Sequence, residues 1–205
     1  MRAGPVGTGW RGGGEGRMGT LESGLVQVYT GEGKGKTTAA LGLALRAVGQ
    51  GMRVCVVQFM KGGWQSGERL AAARLAPELE IRAFGAKRWG DSSQAEEGTP
   101  WWALPPSDAD RAEAREAMLW ARRAVTAGQY SIVVLDEVLG ALNCGLVTLD
   151  EVLGIVCAKP PEVELVLTGR GAPPEVVTAA DLVTEMRAVK HPFSRGVRAR
   201  RGIEY

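Results

Sequence analysis

Short apolar runs alternating with longer helical stretches, a Gly-Lys turn opening one of those helices, and an apolar run ending in two carboxylates together predict the fold class. It is α/β: a doubly wound, mostly parallel sheet with helices on both faces, of the P-loop nucleoside-triphosphate-binding kind. The chain has 205 residues, 45% of them hydrophobic and 23% charged, and 25 basic residues against 23 acidic ones give a formal charge of +2. Such a chain can bury roughly 70% of its unfolded surface. Near-neutral charge gives no general attraction to nucleic acid or anionic membrane, so no nucleic-acid partner is expected.

Residues 1–24 hold nine glycines and no apolar periodicity, so they are expected to form a flexible tail. Met18 just before the first strand leaves open a translation start there. A single domain is expected from residue 25 to 205. There is no apolar span of about 18 residues and no secretory pattern, so neither membrane nor export is expected. Cys55, Cys144 and Cys157 are odd in number, without C-x-x-C spacing and in apolar settings; buried free thiols in a reducing cytoplasm follow.

Residues 25–29 form the first apolar run, followed by Thr30-Gly31-Glu32-Gly33-Lys34-Gly35-Lys36-Thr37-Thr38 and an Ala/Leu-rich helix to residue 48. Glycines allow successive N–H groups to face one concavity, the helix beginning near Lys36 adds its free amides and dipole, and Lys36 adds a full charge. A polyphosphate fits there, and the Thr37 hydroxyl stands where P-loop proteins ligate Mg²⁺. The first glycine of G-x-x-x-x-G-K is replaced by Thr30. The bland alternative is a glycine-rich turn before a buried helix.

Further apolar runs at 54–59, 79–84, 132–135, 165–168 and 182–183 read as buried parallel strands, and 67–75, 108–127, 149–158 and 174–180 as helices. The 108–127 helix opens on a capping-box-like pair, Ser107 and Asp110, and carries Ala117, Trp120, Ala121 and Ala124 along one face. The 132–135 run ends in Asp136 and Glu137, an acid pair suited to Mg²⁺, with Asp136 acting through water and Glu137 either joining it or, in hydrolytic P-loop enzymes, orienting the attacking water. An acidic helix start is the alternative. Residues 85–106, with Trp89, Trp101 and Trp102, make a long aperiodic segment, read as a lid or as a tryptophan-rich loop packed on the core.

Taken in order, residues 31–38, Val57-Gln58-Phe59-Met60-Lys61-Gly62, Leu135-Asp136-Glu137, Leu167-Thr168-Gly169-Arg170-Gly171, Val189-Lys190-His191-Pro192-Phe193 and Gly202-Ile203-Glu204-Tyr205 resemble the P-loop type of ATP:corrinoid adenosyltransferase, from about residue 25 to the last. The resemblance implies transfer of the 5′-deoxyadenosyl group of ATP to the cobalt(I) of a reduced corrinoid, with triphosphate leaving, in adenosylcobalamin biosynthesis or salvage. It further implies Mg²⁺, an electron donor such as a reduced flavoprotein, and a homodimer. ATP would lie reversed in the loop, which accommodates Thr30, with Lys34 and Lys36 on the triphosphate and Glu137 as a metal or ribose contact. The family's aromatic pair after its third strand is matched, at shifted spacing, by Phe84 and Trp89, which would cover the corrin. Lys61, Glu68 and Arg170 are candidate contacts to nucleotide or corrinoid. His191 is read as structural, because an axial donor opposes the four-coordinate cobalt(I) that attacks. Some relatives close the corrinoid site with a polar amino-terminal helix, whereas this chain has the glycine-rich tail. The basic residues Arg195, Arg198, Arg200 and Arg201 offer contacts to corrinoid carboxylates, a partner subunit or nucleic acid, a solvated basic tail being the commonest outcome. The other classes to be weighed are a P-loop phosphotransferase or ATPase acting at the γ-phosphate, and an ATP-gated binding protein without turnover.

Overall fold

The structure is a computed structural model and describes residues 21–63, 66–86, 105–197 and 199–204. The chain runs β1 (Val26–Thr30), α1 (Lys36–Val48), β2 (Val54–Gln58), α2 (Gly67–Ala72), β3 (Leu79–Ala83), α3 (Asp108–Thr126), β4 (Ile132–Asp136), α4 (Val138–Asn143), α5 (Leu149–Ala158), β5 (Glu164–Thr168), α6 (Pro174–Ala179) and β6 (Leu182–Glu185), then a 3₁₀ turn, Pro192–Arg195. The strands form one sheet in the order β3-β2-β4-β5-β1-β6. Every pairing is parallel, as expected for strands joined by helical crossovers.

Two-residue alternation divides the strands between two cores. Val54, Val56, Ile132, Val134 and Val166 face α1 and α2, whereas Cys55, Val57, Val133, Leu135, Leu165 and Leu167 pack with α3, α4, α5 and α6. The central strands β2, β4 and β5 are buried throughout, which is why they read as unbroken apolar runs rather than alternating ones. The helices approach closely through small residues: Ala40, Ala44 and Ala47 on α1, and Ala114, Ala117, Ala121 and Ala124 on α3. Both hydrogen bonds of the Ser107/Asp110 capping box are present. Trp120 lies at the edge of that face, with the Arg82 guanidinium 3.8 Å above its ring.

The structure corrects the sequence reading at four places. The 182–183 run is an exposed edge strand, Leu182 and Val183 being 40% and 41% exposed, because among the described residues β6 pairs with β1 alone. Helix α4 was not foreseen: it follows β4 after Glu137 alone, with no turn segment between strand and helix to mark its start. A second capping box, Thr148 with Glu151, opens α5 and was also unforeseen. Of the three thiols only Cys55 is buried, and burial pushes it up to about 12, whereas Cys144 is half-buried and Cys157 exposed. The glycine-rich residues 1–20 and the segment with Trp89, Trp101 and Trp102 lie outside the described residues. Among the described residues no helix is long and apolar enough to cross a membrane.

Candidate functional site

All the strands point the same way, so the loop after β1, the ends of β2, β3, β4 and β5, and the starts of α1 and α4 share one edge of the sheet. The loop after β1 needs its glycines. Gly31 and Gly35 stand at φ 92° and 122°, in the left-handed region. A Cβ on Gly31 would come within 2.5 Å of the Met186 carbonyl oxygen, and one on Gly33 within 2.7 Å. The Gly33 N–H donates to that same oxygen at 2.6 Å. The residue after β6 is therefore the back wall of the loop, which nothing in its sequence announced.

Thr30 has a structural part: its hydroxyl accepts from the Ala172 N–H at 3.2 Å, tying the loop's entry to the segment after β5. Helix α1 begins at Lys36 with Gly35 as a cap that offers no side chain, leaving its first amides to the loop's concavity. Lys36 is buried, its ammonium donating to the Gly31 and Gly33 carbonyls at 2.6 and 2.7 Å. Burial lowers its pKa, opposed chiefly by Glu137. Glu32, Lys34 and Thr38 are exposed. The Lys34 ammonium lies 3.2 Å from the Ile203 carbonyl and 3.6 Å from the Glu204 carboxylate. Arg170 lies 3.1 Å from Glu32, both well exposed.

Asp136, at the end of β4, is fully buried and knits the edge together. Its Oδ1 accepts from the Thr37 and Thr168 hydroxyls, both at 2.8 Å. Its Oδ2 accepts from Lys61 at 2.7 Å and from the Gln58 amide at 3.3 Å. Burial alone would raise this carboxyl, but the Lys61 ammonium and the two hydroxyls together hold it below the usual range. Gln58 also donates to Glu68 at 3.1 Å, while its own carbonyl oxygen is buried without a partner. The structure thus gathers Thr37, Gln58, Lys61, Glu68, Asp136 and Thr168. Gln58 and Thr168 were not singled out by the sequence, because each is a lone polar residue at the end of a short apolar run and carries no charge.

Glu137 directly follows in the left-handed region, φ 64°, its N–H donating to the Thr168 hydroxyl at 2.9 Å. Its carboxylate crosses the start of α4, with Oε1 2.5 Å from where a Cβ on Gly140 would stand. Burial first, and Asp136 second, raise its pKa. On β3's side, Phe84 is half-buried beside Phe59, Met60, Ala114 and Ala117, lining a small apolar cavity. Trp89 lies outside the described residues.

Taken together, the structure is a parallel α/β protein that carries a glycine-lysine turn, a helix start and a buried carboxylate–hydroxyl cluster at the carboxyl edge of its sheet, the edge where open α/β sheets bind ligands. Comparison with known proteins narrows the class. Residues 22–205 match the family described as ATP:corrinoid adenosyltransferase BtuR/CobO/CobP. The corrinoid adenosyltransferase of Pseudomonas aeruginosa is 39% identical over 184 residues, 90% of this chain and 85% of that one. That of Escherichia coli (strain K12) is 37% identical over 184 residues, 90% and 87% of the two chains. A Salmonella typhimurium protein named corrinoid adenosyltransferase CobA is likewise 37% identical over 184 residues, with 90% and 87% covered. The chain belongs to the ATP:corrinoid adenosyltransferase family.

Proposed function

We infer that this protein transfers the 5′-deoxyadenosyl group of ATP to the cobalt(I) of a reduced corrinoid, releasing triphosphate, in adenosylcobalamin biosynthesis or salvage. In a chain of this family, the observation that carries the reading is the convergence of Lys36, Thr37 and Asp136 at one end of the sheet. The loop is read as a P-loop nucleoside-triphosphate site within one domain starting near residue 25.

The cobalt(I) electron pair forms the Co–C5′ bond while the C5′–O bond breaks, and the bonding pair leaves with the triphosphate. No general base is required. The protein's task is to hold the triphosphate, align C5′ with the cobalt, and exclude water and oxidants. Lys36 meets that need once its ammonium exchanges the Gly31 and Gly33 carbonyls for phosphate oxygens, alongside the first amides of α1. Each charge-assisted contact contributes roughly 1.5–3 kcal/mol. It accelerates the reaction to the extent that it strengthens as charge collects on the leaving oxygen. Arg170 is proposed to reach the nucleotide from its place beside Glu32.

The cluster fits Mg²⁺, which needs only one or two protein ligands beside phosphate and water. The Thr37 hydroxyl is the direct ligand proposed: its hydrogen is committed to Asp136, which leaves its lone pairs free. The four acceptor positions of Asp136 are met by four donors, so its part is to orient Thr37 and to act through water, with Glu137 a metal or ribose contact. When bound, the ion neutralises part of the triphosphate's charge. Phe84, together with Trp89, is proposed to cover the corrin face opposite the nucleotide. A homodimer, an electron donor such as a reduced flavoprotein, and a cytoplasmic location complete the proposal.

The test is anaerobic incubation with ATP, Mg²⁺ and chemically reduced cobalamin, followed by the visible spectrum and by analysis of the phosphate product. Adenosylcobalamin with one triphosphate per turnover is expected. Phosphate or diphosphate as product would point instead to chemistry at the γ-phosphate, and nucleotide bound without turnover to a binding protein.

A further inference from the structure

Lys34 is the loop cation that the site's chemistry leaves engaged elsewhere. Its ammonium is 3.2 Å from the Ile203 carbonyl oxygen and 3.6 Å from Glu204 Oε1, across 169 residues of chain. Residues 200–204 form a tight turn that presents those acceptors. The N–H groups of Ile203 and Glu204 donate to the Arg200 carbonyl at 3.1 and 3.0 Å. Gly202 stands at φ 77°, where glycine is favoured. The Glu204 carboxylate is built in place: it accepts from the Arg200 N–H at 2.7 Å and from the Arg200 guanidinium at 3.1 and 3.3 Å. Those bonds hold its carboxyl down at about 2, so it is an anion at every physiological pH. Apolar packing does not explain why the turn lies against the loop, since Ile203 is 58% exposed. The turn meets the loop through polar contacts to Lys34.

We propose that the 200–204 turn is a stand-in anion for the phosphate loop, in which Glu204 competes with the bound triphosphate for Lys34. The idea rests on the reading of residues 30–38 as a triphosphate site. A triphosphate carries several charges where Glu204 offers one that is already shared with Arg200, so the ligand takes Lys34 on binding. The exchange costs little, because Glu204 keeps Arg200 when Lys34 departs, and the Lys34 side chain, 41% exposed, is free to swing. After the reaction the same carboxylate recaptures Lys34 and thereby weakens the hold on the departing triphosphate. Glu204 is thus a positioning residue acting through Lys34, and it sets affinity and release rather than the chemical step.

The test uses the full chain with inorganic triphosphate as the probe, titrated calorimetrically at low ionic strength. Glu204→Gln is expected to bind triphosphate about two- to fivefold tighter than wild type, the range open to a solvent-exposed ion pair. The gain should be absent in the Lys34→Met background and should shrink in high salt. The pre-steady-state rate of Co–C bond formation at saturating ATP should be unchanged. Unchanged or weaker binding by a Glu204→Gln protein whose circular dichroism and melting match wild type overturns the proposal, as does a gain of equal size with Lys34→Met. If wild type fails to bind triphosphate at all, the reading of the loop itself is wrong, a result distinct from the others.

Discussion

Lys36 and Lys61 are both loop lysines in the sequence, yet their surroundings assign them different work. Lys36 is satisfied by two carbonyls of its own loop. Lys36→Ala is expected to cut adenosylation more than tenfold while leaving the thermal melt nearly unchanged. Retention of over a tenth of the rate would contradict a leaving-group role, since a tenfold step is only about 1.4 kcal/mol. Lys61 instead compensates the buried Asp136, whose folded pKa lies below its ordinary value. That pair's stabilisation is therefore full above the unfolded pKa of about 4 and is lost as pH falls through the lower folded value. Lys61→Met leaves the carboxylate buried without its counter-charge, and a loss on the order of 3 kcal/mol at pH 7 is expected. Without Lys61 the carboxyl titrates higher, so the deficit should shrink in acid. Urea unfolding at pH 7 and pH 4 checks this, and an equal deficit at both would refute the pairing argument.

Among the elements, those with long periods or caps were legible and those defined by contact were not. Helix α3 was readable from Ser107, Asp110 and its alanine face, and the structure realises all three features. Helix α4 was not readable, and neither was the exposure of β6, whose Leu182 and Val183 have the composition of a buried strand. The loops after β2 and β3 illustrate contact most sharply. The Lys61 N–H donates to the Phe84 carbonyl at 2.9 Å, and a Cβ on Gly62 would fall 1.6 Å from the Gly85 carbonyl oxygen. Gly62→Ala must push these two loops apart at the edge where Lys61 meets Asp136. We expect it to cost about 1–3 kcal/mol of stability, typical of overpacking, measured by chemical denaturation. The same variant should also raise the KM for ATP, because the Lys61 backbone would move with the loop. A stability equal to wild type would show that the loops separate freely.

For the molecule as a whole, composition argues that residues 1–17 add nothing to the fold: glycine is a poor helix former, by about 1 kcal/mol per residue relative to alanine, and such sequence buries little. A chain beginning at Met18 is expected to match the full chain in melting temperature and in adenosylation. A large rise in the KM for the corrinoid on truncation would instead assign the tail a place over that substrate. What the sequence by itself determined is the α/β architecture, the glycine-lysine turn before α1 and the acidic strand end, because each depends on local period, glycine placement and residue type. Its ordered motifs also carried the family resemblance, which residues 22–205 bear out. Only the tertiary structure decided that Met186 backs the loop, that Thr30 ties to Ala172, that Gln58, Lys61 and Thr168 converge on Asp136, and that Lys34 meets Glu204. Those partners are brought together by a parallel sheet whose strand order differs from chain order, so their distance in space has no counterpart in their spacing along the sequence.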